Sequence, residues 1–376
     1  MSVGAPSSAD AARERMVDKL AEQVHPREET LSAFRKVPRH LFLPDVDLDR
    51  VYGGNAIPTK HDEKGSPISS SSEVAIMALM LDALRLEQGQ RVLEIGTGTG
   101  YNAAILAELV GVDNVVTVEL DPEIAGEARA HLRAAGYETL HVEAADGWAG
   151  WSDGAPYARI ELTAATRDIS PHWVEQLEEG GLLVAPLLLR PNAQAMVVLR
   201  KNGDTLESVS VFAGGFMWLR GMGGSPDPTQ EVGAWRVTSS RVVDPEGLAA
   251  LLRETPRVEL ADPVTYSDHS LLNIIDESSF TLSRKGNVAY SSGIVAEDGR
   301  GLALFEWTGG ILSPRMLLIS YGAPDALDRL RRRLDEVRGR ALQGVRIVAV
   351  PTGTARVEGD VVFESANYTF VVSRGR

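Results

Sequence analysis

The stretch Val92-Leu93-Glu94-Ile95-Gly96-Thr97-Gly98-Thr99-Gly100-Tyr101 decides the fold. The short apolar run Arg91–Ile95 reads as a buried strand, three glycines follow at alternate positions, and an apolar helical pattern starts at once, over Tyr101–Val110. Such a strand delivers the chain into a turn that needs residues without a Cβ, and the helix behind it offers unpaired N–H groups. In open α/β sheets the crevice beyond the strand's carboxyl end is where ligands bind.

Outward from this loop the alternation continues. Glu73–Leu84 has helical apolar spacing, Val115–Glu119 reads as a strand, and Pro122–Ala135 as a helix opened by Asp121 as cap with Pro122 at its first position. Weak strands follow at His141–Glu143 and Ala158–Leu162, then a helix at Pro171–Leu177 and a strand at Gly181–Pro186. This alternation predicts an α/β fold with a doubly wound, mostly parallel sheet. Before it, residues 1–12 read as frayed, Ala11–Phe34 as helical, and Tyr52–Ser72 as a long irregular loop of the kind that is usually functional. Gly221–Pro228 reads as a linker or domain edge, which divides the chain into 1–72, 73–220 and 221–376. The last part reads as an α+β extension. Its strands are expected at Arg257–Leu260, Leu302–Trp307, Met316–Ser320, Val345–Val350, Asp360–Phe363 and Tyr368–Val372. Its helix, about Pro324–Leu342, carries Arg329, Arg331, Arg332, Arg333, Arg338 and Arg340, read as a solvated cationic face beside acidic neighbours or as a peptide-docking face.

Composition narrows the function. The 376 residues contain no cysteine, which excludes disulfides, thiolate metal sites and a cysteine nucleophile. The seven histidines form no ligand-spaced pair, so no metal is expected. Net charge is −14, and residues 1–220 hold 32 acidic against 20 basic side chains. That balance argues against a nucleic-acid partner and suits a neutral or cationic one. No apolar run approaches a membrane span and the start of the chain has no secretory pattern, so no membrane partner and a cytoplasmic location are expected.

The glycine loop alone leaves two ligands open, since a nicotinamide fingerprint fits Gly98, Gly100 and Ala103. Three features favour S-adenosylmethionine. Glu94 stands in the strand two residues before the first glycine. Glu119 ends the next strand, where a carboxylate can take both ribose hydroxyls. Asp146-Gly147 ends the third, suited to an adenine amino group. Glu119 also reads as a carboxylate at a helix start, and Asp146-Gly147 as an ordinary turn.

On these residues the chain, over roughly 15–220, resembles the protein-L-isoaspartate O-methyltransferase family. The likeness rests on Val37-Pro38-Arg39-His40-Leu41-Phe42-Leu43-Pro44, Tyr52…Ala56-Ile57-Pro58, Leu93–Asn102, Asp146-Gly147, Ala155-Pro156-Tyr157 and Gln176–Pro186. It implies a Rossmann-like class I methyltransferase core. Cofactor contacts are implied at Glu94, Gly96, Thr97, Gly98, Gly100, Tyr101, Asn102, Glu119, Leu120, Asp146, Gly147 and Thr163, with S-adenosylhomocysteine as product. The family's Thr-x-Ser-x-Pro motif falls on Ser70-Ser71-Ser72-Glu73-Val74, which implies that Ser72, with Ser71 and Ser70, holds the acceptor; Ser72 also reads as a helix N-cap. Arg159 and Glu161 are polar where the family's strand is apolar. The extra ~155 residues resemble the extended relatives beside peptide natural-product pathways. The expected activity is esterification of an aspartate side chain in a ribosomally made peptide, closing to an aspartimide. The same chemistry on isoaspartate in damaged proteins is the alternative, and a non-catalytic binding module is a third reading.

Overall fold

The computed structural model describes residues 8–63, 65–224, 228–241, 244–285, 290–308, 315–340, 342–354 and 359–374. The helices are α1 (Ser8–Val24), α2 (Glu28–Lys36), α3 (Leu48–Val51), α4 (Val74–Leu84), α5 (Tyr101–Val110), α6 (Pro122–Ala134), α7 (Pro171–Gln176), α8 (Pro245–Leu251), α9 (Tyr266–Ile275) and α10 (Asp325–Val337). Strands β1 (Ile57–His61) and β2 (Pro67–Ser71) form a hairpin. The next seven are β3 (Val92–Ile95), β4 (Val115–Glu119), β5 (His141–Ala144), β6 (Tyr157–Leu162), β7 (Leu177–Arg190), β8 (Ala193–Asn202) and β9 (Thr205–Phe212). The extension supplies β10 (Gln230–Val232), β11 (Trp235–Ser239), β12 (Arg257–Ala261), β13 (Ser279–Arg284), β14 (Tyr290–Val295), β15 (Gly301–Thr308) and β16 (Arg315–Gly322). Three more close the chain: β17 (Val345–Pro351), β18 (Val361–Glu364) and β19 (Tyr368–Arg374).

The first sheet runs β18-β19-β17-β9-β8-β7-β6-β3-β4-β5. From β5 to β7 its neighbours are parallel, and from β7 outward antiparallel. The chain leaves β3 toward β4 and β5, then returns to its other side with β6. The end of β3 is therefore the topological switch point, and the glycine loop lies there. Helix α5 is apolar on all sides and correspondingly buried from Tyr101 to Val110 except at Asn102 and Glu108. Asp121 caps α6 through the N–H groups of Glu123 and Ile124, with Pro122 following, as its sequence predicts.

Three expectations change. Residues 8–12 are helical rather than frayed, because Ala12, Met16, Val17 and Leu20 pack into the core. The stretch Tyr52–Ser72 is not a loop throughout: the hairpin occupies most of it. The extension is not set apart from the first sheet. Its last three strands join that sheet through β17 against β9, and one core cluster runs from Leu93 and Leu183 to Leu271, Phe305, Leu330 and Phe370. A cut after residue 220 leaves three strands of the first sheet on its far side. Of the expected linker, residues 225–227 lie outside the described residues.

The second sheet is antiparallel, β10-β11-β13-β14-β15-β16-β12. Helix α10 lays Leu327, Leu330, Leu334 and Val337 inward. Several of its arginines meet acids: Arg329 and Arg333 reach the buried Asp276 at 3.1 and 2.9 Å, and Arg331 reaches Glu259 at 2.5 Å. This is the paired surface expected of a solvated helix face. No helix of the described residues is long and apolar enough to cross a membrane.

Candidate active site

The glycine loop is held in place by bonds to the neighbouring strand ends. Gly96 N–H donates to Val118 O at 2.9 Å, and Gly98 N–H donates to Glu119 Oε2 at 3.0 Å. Thr163 Oγ1, on the far side, donates to Gly96 O at 2.6 Å. Gly96 has φ +101°, and a Cβ there would stand 2.3 Å from Thr163 Oγ1. Gly98 has φ +53°, and its Cβ would meet Ser70 O at 3.4 Å. Glycine is required at both positions because the backbone itself forms the wall of a cavity.

That cavity has a volume of about 880 Å³. The loop residues Gly96, Thr97 and Gly98 form its floor with Tyr101 and Asn102. Glu119, Leu120, Gly147 and Thr163 line the strand ends, and Ser70, Ser71 and Ser72 face them from the hairpin side. Three expected residues stand outside the lining. Glu94 is wholly buried beneath the loop, Gly100 serves as the left-handed start of α5, and Asp146 has both oxygens engaged. Asp146 Oδ1 accepts from Trp148 N–H at 2.9 Å and Oδ2 from Met222 N–H at 2.7 Å. Its carboxylate thus orders Gly147 and the 221–223 turn, with a second acceptor site left on each oxygen.

Glu119 meets the requirement for a diol. Oε2 accepts from Gly98 N–H and Oε1 from Asp121 N–H at 3.2 Å, which leaves a further acceptor site on each oxygen.

The serines divide by strand periodicity. Ser69 and Ser71 turn into the protein, and Ser70 lies on the opposite side of β2. Ser69 Oγ accepts from Thr59 Oγ1 at 3.1 Å, and Ser71 Oγ accepts from Arg39 Nη2 at 3.2 Å. Ser72 does not cap α4. Glu73 occupies that position, with no side-chain cap bond. Ser70 and Ser72 line the cavity without the structural bonds that Ser69 and Ser71 accept.

Arg39, from the Val-Pro-Arg-His stretch, explains how this segment is placed. It is fully buried and donates to Val51 O, Asn55 O, Ser71 Oγ and Ser72 O. Burial lowers its guanidinium below the ordinary arginine value. The motif thus carries a positioning residue that motif position alone did not reveal. Residues 213–220 were also missed: they form the remaining wall, tied to β6's continuation by Leu219 N–H on Ala165 O at 2.7 Å. A Gly214-Gly215 pair followed by Phe216-Met217-Trp218 was the available signal. Tyr266, from α9 of the extension, reaches the same cavity.

Beneath the loop lies a buried polar cluster. Glu94 Oε2 accepts from Thr117 Oγ1 at 2.5 Å, and Asn102 Nδ2 donates to Glu94 Oε1 and to Glu161 Oε2. Glu161, with Arg159 one of the two charged residues of β6, is paired in register with Glu94.

The lining is acidic at Glu73 and Glu119, with Arg220 as its basic member among the described residues. A glycine cradle that any Cβ would fill, a diol acceptor at a strand end and a net negative wall fit S-adenosylmethionine, whose sulfonium is cationic. Among the described residues no group of His, Asp and Glu has the makings of a metal site.

The family model for protein-L-isoaspartate(D-aspartate) O-methyltransferase matches residues 11–216. A protein-L-isoaspartate O-methyltransferase 2 of Archaeoglobus fulgidus is 39% identical over 194 residues, 51% of this chain and 85% of the relative. The enzyme of Dictyoglomus thermophilum is 37% identical over 215 residues, 57% of this chain and 94% of the relative. A solved protein-L-isoaspartate O-methyltransferase aligns over 96% of this chain and 99% of its own at a TM-score of 0.55 and 24% identity, so the likeness in fold includes the extension. The chain belongs to the protein-L-isoaspartate(D-aspartate) O-methyltransferase family and is an S-adenosylmethionine-dependent carboxyl methyltransferase.

Proposed function

We propose that this enzyme esterifies the free carboxylate of an isoaspartyl residue within a protein or peptide chain. The observation that carries the reading is the placement of the Ser70 and Ser72 hydroxyls across one cavity from the Gly96–Gly98 turn. The names of the relatives support the same acceptor.

S-adenosylmethionine, when bound, supplies a methyl group on a sulfonium sulfur. Glu119 would hold its ribose hydroxyls, the Gly96–Gly98 backbone with Thr97 and Asn102 its amino-acid portion, and Leu120 and Gly147 its adenine. The acceptor carboxylate is ionised at neutral pH and needs no general base. Ser70 and Ser72 donate to one of its oxygens and leave the other free. That oxygen attacks the methyl carbon; the C–O bond forms as the C–S bond breaks, the electron pair stays on sulfur, and no proton moves. Neutral hydroxyl donors orient the nucleophile without cancelling its charge, as a lysine would. Alignment is the main contribution, since correct geometry alone is worth about 7–11 kcal/mol of barrier. The following backbone amide nitrogen then attacks the ester carbonyl. Methoxide leaves, takes up the amide proton and departs as methanol, and a succinimide remains.

A second reading, esterification of an aspartate side chain in a dedicated ribosomally made peptide, is favoured by Tyr266: an extension that lines the acceptor cavity suits a specialised chain. The extension by itself does not choose between them, because a solved isoaspartyl methyltransferase shares its fold. Residues 221–376 remain our candidate for acceptor recognition on either reading, with residues 1–72 facing substrate and 73–220 binding the cofactor. We also place the enzyme in the cytoplasm.

Matched peptides differing only in L-isoaspartyl or L-aspartyl linkage, incubated with S-adenosylmethionine and followed by mass spectrometry, test the reading. The isoaspartyl isomer is expected to gain one CH2 and then lose methanol. Preferential methylation of the aspartyl isomer would select the second reading, and methylation of neither would remove both.

A further inference from the structure

A smaller cavity, about 210 Å³, opens beside the main one. The two share Gln194, Gly215, Trp218 and Tyr266, so they form one continuous depression. The shared wall is firmly built. Gln194 clamps the backbone of Phe216 from both sides: Nε2 donates to Phe216 O at 3.1 Å and Oε1 accepts from Phe216 N–H at 2.8 Å. Tyr266 begins α9 immediately after a reciprocal cap, in which Thr265 Oγ1 accepts from Asp268 N–H at 3.1 Å and Asp268 Oδ2 accepts from Thr265 N–H at 2.9 Å.

The far end of the small cavity contains no lysine, arginine, aspartate or glutamate among its described lining residues. His269 is present but neutral in role. Its Nε2 lies 2.8 Å from Asn273 Nδ2, which can only donate, and 2.7 Å from Ser292 Oγ. Its burial, which pushes it down to about 4, agrees with an acceptor nitrogen. Two amide oxygens are then left over. Asn273 is 1% exposed, its nitrogen is spent on His269 and Asn192 O, and its Oδ1 has no partner. Asn192 Nδ2 donates to Ser279 Oγ at 3.0 Å, and its Oδ1 is likewise buried and unpartnered. Both asparagines line the cavity. A buried acceptor without a donor costs about 1–3 kcal/mol, which a ligand N–H restores.

Resting on the isoaspartyl or aspartyl acceptor proposed above, we infer that this cavity is a specificity subsite. It takes an uncharged, N–H-bearing group of the acceptor polypeptide next to the methylated residue, with Asn192 Oδ1 and Asn273 Oδ1 as acceptors and Tyr266 as the wall between the two pockets. Charged neighbours are disfavoured because nothing there neutralises them. The N–H can come from a side-chain carboxamide or from the peptide backbone.

The test is a set of acceptor peptides that place Gln, Met, Lys or Glu in turn at each position flanking the methylated residue, with a backbone N-methylated set beside them. At one position Gln should lower KM at least about fivefold relative to the near-isosteric Met, and Lys and Glu should raise it. If the backbone supplies the donor, N-methylation at that position should raise KM by a similar factor while Gln and Met match. Asn273→Ala should erase whichever preference is seen and raise KM more than it lowers kcat, with unchanged affinity for S-adenosylhomocysteine reporting an intact fold. Should that variant fail to fold, Tyr266→Ala, at a half-exposed position, should weaken the same preference. Flat KM values across both peptide sets, or a preference that survives in the folded variants, would overturn the subsite and leave the methylation reading standing. Failure to methylate any peptide would instead strike the function on which it rests.

Discussion

Glu94 and Glu161 lie opposite each other on adjacent parallel strands and share one donor, Asn102 Nδ2, at 2.7 and 3.0 Å. Burial, with the neighbouring Glu161 charge as second cause, pushes Glu94 up to about 8, and burial pushes Glu161 up to about 7. Glutamates in an unfolded chain titrate near ~4.3. Across the interval from there to about 8 the folded protein binds more protons than the unfolded chain, so stability falls as pH rises through it. Glu161→Gln removes one charge and keeps an acceptor for Asn102. Its melting temperature should exceed wild type by roughly 2–5 °C at a pH above both transitions, and by clearly less near pH ~5, where only the first part of that interval has been crossed. Calorimetry at the two pH values reads the difference; parallel profiles would show that the pair does not titrate in this way.

The cradle is equally open to attack. Gly98→Val combines a positive φ with a Cβ in contact with Ser70 O, and its methyls project into the space a cofactor needs. Affinity for S-adenosylhomocysteine should fall at least ~100-fold by titration calorimetry. Gly126→Ala is the matching control. A Cβ there meets nothing within 4 Å inside α6, and the substitution should stabilise by about 0.5–1 kcal/mol without touching affinity.

How far the sequence carried these conclusions depends on the range of the interactions. The β3 turn and α5 are legible because strand, glycine loop and helix are contiguous, and Glu119 because a strand end is a fixed distance from that loop. The β1–β2 hairpin is not legible, since Gly53, Gly54, Pro58, Gly65 and Pro67 read locally as loop. What fixes it is Arg39, bonded to residues 12 to 33 positions away. The tie between Asp146 and Met222 N–H was not legible either, since the two lie 76 residues apart. The strands β17–β19 were visible as strands, but nothing local tells that they pair with β9 rather than with the second sheet. Strands β8 and β9, with β10, β11, β13 and β14, are not anticipated by the strand–helix alternation, which a run of antiparallel strands joined by short turns does not continue.

Ser72 and Ser71 should separate into different roles. Ser72→Ala removes a hydroxyl that lines the cavity and has no bond to Arg39, so kcat should fall by about 10–100-fold. Its affinity for S-adenosylhomocysteine should stay at the wild-type value. Ser71→Ala removes an acceptor of Arg39 and should cost about 0.5–1.5 kcal/mol of stability, with a smaller effect on kcat. Denaturant titration beside steady-state kinetics gives both quantities, and a reversed pattern would move the acceptor role to Ser71.

Arg39→Lys tests the arrangement that places both serines. The planar guanidinium reaches Val51 O with one nitrogen and Asn55 O, Ser71 Oγ and Ser72 O with another. An ammonium keeps the charge but concentrates its donors at one point, and it cannot span acceptors on both sides of the hairpin. Carbonyl groups left unpaired in a buried site and a poorly solvated cation both oppose folding, and together should cost about 2–4 kcal/mol. Kinetically, the loss should fall on kcat and on KM for the peptide acceptor, because the Ser70–Ser72 segment loses its anchor, whereas Gly98 and Glu119 keep their own bonds and cofactor affinity should change little. Protease cleavage within residues 57–71 should become faster in the variant. Unchanged cleavage together with normal kcat would mean that the hairpin is held by its strand pairing alone.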